Sequence, residues 1–156
     1  MRIGIITGEY PPRQGGVGAY TQILARSLAD KNDIFILCRK DAEETHPSIT
    51  ISNTIQNWSL TSLWQIRRWA KRNRLDIVNL QFETAAYNMS PWVHLLPKAL
   101  GNTPFVTTFH DLLVPYLFPK AGNLRNQVVN FLAEKSDGII TTNQEDLRRL
   151  RHVRNR

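Results

Sequence analysis

Short apolar, β-rich runs recur along the chain: Arg2 to Thr7, Ile34 to Cys38, Ile49 to Ser52, Asp76 to Gln81, Phe105 to Phe109 and Gly138 to Thr142. Most are apolar throughout rather than alternating, the pattern of strands buried inside a parallel sheet with helices on each side. Amphipathic stretches of helical period separate them, Val17 to Ala29, Thr61 to Asn73, Trp92 to Leu100 and Leu124 to Glu134. The alternation predicts an α/β fold with a doubly wound, mainly parallel sheet. In such sheets ligands collect beyond the carboxyl ends of the strands. The candidate segments are therefore the glycine loop after the first run, Gln81-Phe82-Glu83, His110-Asp111 and Asn143.

The loop reads Gly8-Glu9-Tyr10-Pro11-Pro12-Arg13-Gln14-Gly15-Gly16-Val17-Gly18. Prolines stiffen its first half and glycines free its second, where a strand hands over to a helix N-terminus. Each glycine costs roughly 0.5–1 kcal/mol of backbone entropy relative to alanine, so Gly15, Gly16 and Gly18 need a reason. One reason is an anion, a phosphate or carboxylate received by free amides at the positive end of the helix, with Glu9 and Arg13 adding polar contacts. The other is a tight turn with close helix–strand packing. A dinucleotide fingerprint is not matched, because the glycines come late and the second run closes on Cys38-Arg39-Lys40 without an acid. The phosphate-binding pattern G-x-x-x-x-G-K-[ST] is absent.

With 156 residues, 42% hydrophobic and 21% charged, the chain is long enough for one domain and carries no low-complexity tract. Its net charge of +7 favours anionic company such as a nucleotide, an acidic lipid surface or a nucleic acid. Cys38 is the single cysteine, which excludes an intrachain disulfide and fits a reducing compartment, the cytoplasm. No stretch reaches the roughly 18 uninterrupted apolar residues of a membrane span, so membrane contact is expected to be peripheral, on an inner face. The end of the chain reads as a helix start, with Asn143 as cap and Glu145 and Asp146 in its first turn, running into the basic tail Arg148 to Arg156. That abrupt ending suggests that the polypeptide continues.

His110 closes an apolar run, which aims its imidazole at the crevice that the glycine loop borders. It reads either as a catalytic or sugar-binding group or as a hydrogen-bonded histidine capping the sheet. Asp111 is placed to orient it or to cap the next segment of chain. Gln81 and Glu83, two apart on one face of an extended segment, are suited to hydrogen-bonding hydroxyls or to solvation at a strand end. His46, His94 and His152 show no metal-ligand spacing, so no metal site is expected.

From Leu60 to Arg74 the chain reads L-T-S-L-W-Q-I-R-R-W-A-K-R-N-R. Helical spacing puts Leu63, Ile66 and Ala70 on a core stripe and groups Trp64 with Arg67, Arg68 and Lys71 on another face. That face reads either as an interfacial surface for anionic lipid headgroups or as a solvated basic helix with arginine stacked on Trp64. Nucleic acid is not expected, because aromatic and basic residues are not interleaved as base-stacking platforms.

The succession G-E-Y-P-P-x-x-G-G-V-G, D-I-V-N-L-Q-F-E, F-V-T-T-F-H-D-L and S-D-G-I-I-T-T-N strongly resembles the N-terminal domain of retaining, glycogen synthase-like group 4 glycosyltransferases of the GT-B fold. The resemblance covers nearly the whole chain. It implies that residues 1–156 form a Rossmann-like, acceptor-side domain, whose partner, a C-terminal donor-binding domain with its E-x₇-E signature, is not in this sequence. It also implies a nucleotide-sugar donor held mainly by that missing domain, a glycan or lipid-linked acceptor, no cofactor, and inactivity of this half alone. Residue by residue, Gly15, Gly16 and Gly18 would approach the donor diphosphate or the acceptor. His110 would contact the transferred sugar, and Gln81, Glu83 and Asn143 would line the acceptor side. Two other readings stay open: a non-catalytic glycan- or anion-binding module, and an NADP-dependent reductase using Arg39 and Lys40 at the 2′-phosphate.

Overall fold

All the apolar runs join one six-stranded parallel sheet in a computed structural model that describes residues 1–112 and 122–154. Asn155 and Arg156 of the basic tail lie outside the described residues. The strands are β1 (Arg2–Thr7), β2 (Asp33–Arg39), β3 (Ile49–Ile55), β4 (Ile77–Phe82), β5 (Phe105–Phe109) and β6 (Gly138–Thr141). The helices are α1 (Gly16–Ala29), α2 (Leu60–Arg72), α3 (Leu96–Leu100), α4 (Gly122–Lys135) and α5 (Gln144–Arg154). The strand order is β3-β2-β1-β4-β5-β6, with every neighbouring pair parallel. This is the Rossmann-like α/β arrangement that the sequence predicts. Strand order reverses between β1 and β4, so the crevice beyond their carboxyl ends is the topological switch point.

Alternate residues of β1 and β2 feed two separate cores. Ile5, Ile34, Ile36 and Cys38 pack with Ala25 and Ala29 of α1, while Ile6, Leu37, Leu80 and Phe82 pack with Ile66, Trp69 and Ala70 of α2 on the opposite face. Burial on both faces is why the runs are apolar without alternation. The α1 face changes character across the sheet, because register sets Ile5 beside Asn79 and Thr7 beside Gln81, and Gln81 in turn beside Thr108. A polar line therefore runs through β4 and β5 where β1 and β2 are apolar.

Two elements depart from expectation by more than a residue or two at their ends. Strand β3 extends to Ile55 rather than stopping at Ser52, since Asn53 and Thr54 on this edge strand face outward and need no apolar side chain. The single helix expected over Trp92 to Leu100 is a 3₁₀ turn, Pro91–Leu95, followed by the short α3. Pro97 has no N–H to continue the ladder from the preceding turn, but it is tolerated in the first turn of a new helix.

Candidate functional site

Three strand ends build the crevice. Residues 8–15 follow β1, Glu83 follows β4, and His110 follows β5, with the His110 N–H donating to the Phe82 carbonyl at 3.1 Å. Thr142, just beyond β6, donates its hydroxyl to the His110 carbonyl at 2.9 Å. His110 is thus clamped through its backbone from both neighbouring strands.

Its ring is positioned just as firmly. Nε2 lies 2.8 Å from Oε1 of Gln81, a side chain with no exposed surface. The amide nitrogen of Gln81 donates to Oδ1 of Asn79, and Asn79 donates from Nδ2 to the Thr108 hydroxyl at 3.0 Å. This chain fixes proton direction. Gln81 spends its N–H on Asn79, so its oxygen must accept, and Nε2 of His110 must carry the proton. Nδ1 is then a lone-pair acceptor. Burial lowers the His110 pKa below the ordinary 6.5, so the ring is neutral at neutral pH. The Tyr20 ring meets it edge-on with centroids 4.8 Å apart, which ties the second turn of α1 to the end of β5. The start of α1, which the glycine loop enters, and the end of β5 are therefore adjacent at the carboxyl rim of the sheet.

The loop glycines serve different ends, and none of the three has a positive φ. A Cβ on Gly15 would land on the Glu9 carboxylate, and one on Gly18 would come within 3.3 Å of the Glu9–Tyr10 backbone. Close packing explains both. A Cβ on Gly16 would meet nothing within 4 Å, and α1 starts there with no side-chain cap and no acid in its first turn. Among the described residues no side chain caps the amides at this helix start. Behind the loop, Tyr10 is buried and its hydroxyl donates to Glu44 at 2.6 Å. Burial pushes the Glu44 pKa up, but hydrogen bonds from Arg26 at 2.8 Å, from Tyr10 and from the N–H groups of Thr45 and His46 prevail and hold it at about 2.

The acids divide. Glu9 is half-buried beside Gly15, and its pKa is raised by burial and by the nearby Glu83 carboxylate, against the pull of Arg13. Glu83 accepts from the N–H groups of Ala85 at 3.3 Å and Ala86 at 3.1 Å, so it caps the 3₁₀ turn Ala85–Tyr87 while facing Glu9. Asn143 caps α5, its Oδ1 accepting from the Asp146 N–H at 2.8 Å and its Nδ2 donating to the Asp146 carboxylate at 2.8 Å. Asp111 is exposed beside His110. Of the residues read from sequence, His110 meets Gln81 directly, Glu9 lies close to Gly15 and Glu83, and Asn143 caps its helix. Sequence reading missed Tyr20, Asn79 and Thr108. Asn79 leaves a trace, a polar residue two before Gln81 in an otherwise apolar strand.

On the far side, Trp64, Arg67, Arg68 and Lys71 are all exposed on α2, with the Arg68 guanidinium 4.5 Å from the Trp64 ring centroid. Among the described residues no helix is long and apolar enough to cross a membrane.

Residues 14–156 match the family described as Glycosyltransferase Family 4. No curated protein matches the chain. Among solved structures, the DNA/pantothenate metabolism flavoprotein from Streptococcus pneumoniae is similar over 90% of this chain and 80% of that one, at 14% identity and a TM-score of 0.50. That likeness is one of fold.

Proposed function

This chain belongs to Glycosyltransferase Family 4, and from that premise we propose that it is the acceptor-side half of a retaining glycosyltransferase that moves a sugar from a nucleotide donor to a hydroxyl. The observation that supports the reading is the Tyr20–His110 contact, which brings the open start of α1 next to a neutral, oriented imidazole, the two groups bordering one notch in this reading. In this reading the amides at Gly16 receive donor phosphate oxygens or an acceptor. Nδ1 of His110 accepts a hydrogen bond from a sugar hydroxyl, and Glu9 and Glu83 receive further hydroxyls.

Retention follows from attack on the face that the leaving group departs. The bond from the anomeric carbon to the phosphate oxygen breaks as the acceptor oxygen bonds that carbon, and the departing phosphate takes the acceptor's proton. No carboxylate nucleophile is then asked of this domain. Donor phosphate charge is balanced mainly by a second, donor-binding domain, so residues 1–156 alone transfer nothing, and the enzyme works in the cytoplasm.

The test is a screen of nucleotide-sugars on the full-length protein. Transfer should appear, and His110→Ala and Gly16→Val should each lower it by about tenfold or more. Unchanged transfer in both variants would remove the notch from the reaction. The reductase reading depends on Arg39 and Lys40, which line a cavity of about 340 Å³ together with Asp41, a carboxylate that would repel a 2′-phosphate. NADPH titration should accordingly show no saturation.

A further inference from the structure

We infer that the outward face of α2 docks on an anionic phospholipid bilayer. From Thr45 to Leu75 the chain has no acidic residue, yet it carries Arg67, Arg68, Lys71, Arg72 and Arg74. None of these cations forms an ion pair among the described residues. The helix buries Ser62, Ile66, Trp69 and Ala70 against the sheet, and its opposite side exposes two large apolar residues one turn apart, Leu60 at 54% and Trp64 at 63%. Leu60, Trp64, Arg67, Arg68 and Lys71 succeed one another at helical spacing on that side. Apolar side chains flanked by unpaired cations are what an interfacial helix needs in order to enter the headgroup layer.

The fold gives this face a direction. Since α2 begins a few residues after β3 ends, Leu60 and Trp64 lie toward the carboxyl rim of the sheet, the rim that holds the crevice, and the later cations extend toward the opposite edge. Beside the helix, Thr50, Ser52 and Thr54 of edge strand β3 form the floor of a groove of about 800 Å³ walled by Gln65, Arg68 and Arg72. Hydroxyls and guanidiniums there are donors suited to a headgroup phosphate. A soluble polyanion would use the cations and the Arg68 that stacks on Trp64, but would leave the exposed Leu60 without a role. Docking in this pose would bring the crevice rim close to the membrane surface. The inference reaches beyond the transfer reaction and does not depend on it.

Co-sedimentation of the chain with phosphatidylcholine vesicles, with and without phosphatidylglycerol, is the test. Binding is expected only with phosphatidylglycerol and should weaken as salt rises. Each cation near the surface contributes about fivefold in partitioning, so Arg67→Ala/Arg68→Ala should lower it about twenty-fivefold. Trp64→Ala should lower it by about tenfold. All three side chains are exposed, and unchanged circular dichroism will confirm that the variants fold. Equal pelleting with neutral vesicles, or variants that bind like the parent, would overturn the proposal. So would saturable binding of a soluble oligouronate without vesicle binding, which would give this face to an acidic polymer instead.

Discussion

The two walls of the crevice are made differently. On the β4–β5 wall, Thr108, Asn79, Gln81 and His110 form one hydrogen-bonded chain that ends in a ring with a single free acceptor. On the β1–α1 wall, the helix starts at a glycine whose missing Cβ would meet nothing within 4 Å, without a capping side chain. One wall has its donors and acceptors paired in advance; the other keeps them unspent. On the proposed function, the contrast teaches that orientation and reception are separate tasks. A ring must be held by buried partners to present one nitrogen, whereas a phosphate is best met by amides that nothing else has claimed.

The oriented wall should give the largest effect. His110→Ala should lower transfer by the full-length enzyme about a hundredfold to a thousandfold, with a much smaller change in thermal stability. Gln81→Glu sharpens the point through pH. In the parent, burial keeps His110 neutral, so activity should persist as pH falls below the ordinary histidine value of 6.5. A carboxylate beside Nε2 favours the imidazolium and raises that pKa, so the acid limb of the pH–rate profile should move upward. Coincident acid limbs in the parent and Gln81→Glu would mean that the hydrogen-bonded chain does not set the state of the ring.

Next in size is the anchor behind the receiving wall. Glu44 accepts from Tyr10 and Arg26 and so pins the stiff half of the glycine loop to α1 and to the segment after β2. Glu44→Gln should cost about 1.5–3 kcal/mol at neutral pH, measured by urea unfolding. The folded pKa of about 2 lies below the ordinary 4.5, so the carboxylate contributes its full stability above 4.5 and loses it as pH falls toward 2. The parent should therefore lose stability across that window faster than Glu44→Gln. Parallel pH profiles would show that the loop is held by something else.

Much of this contrast is legible in the sequence. Strands buried on both faces announce themselves as unbroken apolar runs, and a polar residue at the end of such a run, His110, has to face the crevice. Gln81 is visible for the same reason. The partners are not: Tyr10 and Arg26 lie 34 and 18 residues from Glu44, and no local pattern links them. Asn143 and Glu83 look alike in sequence as strand-end polar residues, and in the fold each accepts from a nearby backbone N–H, a partner that the strand-end position does not announce. Tyr20 looks like one more residue of an amphipathic helix, since only the packing of α1 brings it to His110.

The smallest effects discriminate most finely, because they set two glycines of one loop against each other. At Gly16 a methyl group would enter open space in a helical turn, so Gly16→Ala should raise stability by up to about 1 kcal/mol through helix propensity. If the open amides receive the donor, the same methyl must crowd the bound phosphate and raise KM for the nucleotide-sugar. At Gly18 the methyl would press within 3.3 Å of the Glu9–Tyr10 backbone, which must shift to admit it. Gly18→Ala should therefore lower stability by about 1 kcal/mol or more. The two variants separate reception from packing by the sign of one measured quantity. A stabilised Gly16→Ala enzyme with unchanged KM would leave the receiving wall with nothing to receive, because its emptiness would then be only a lack of contacts.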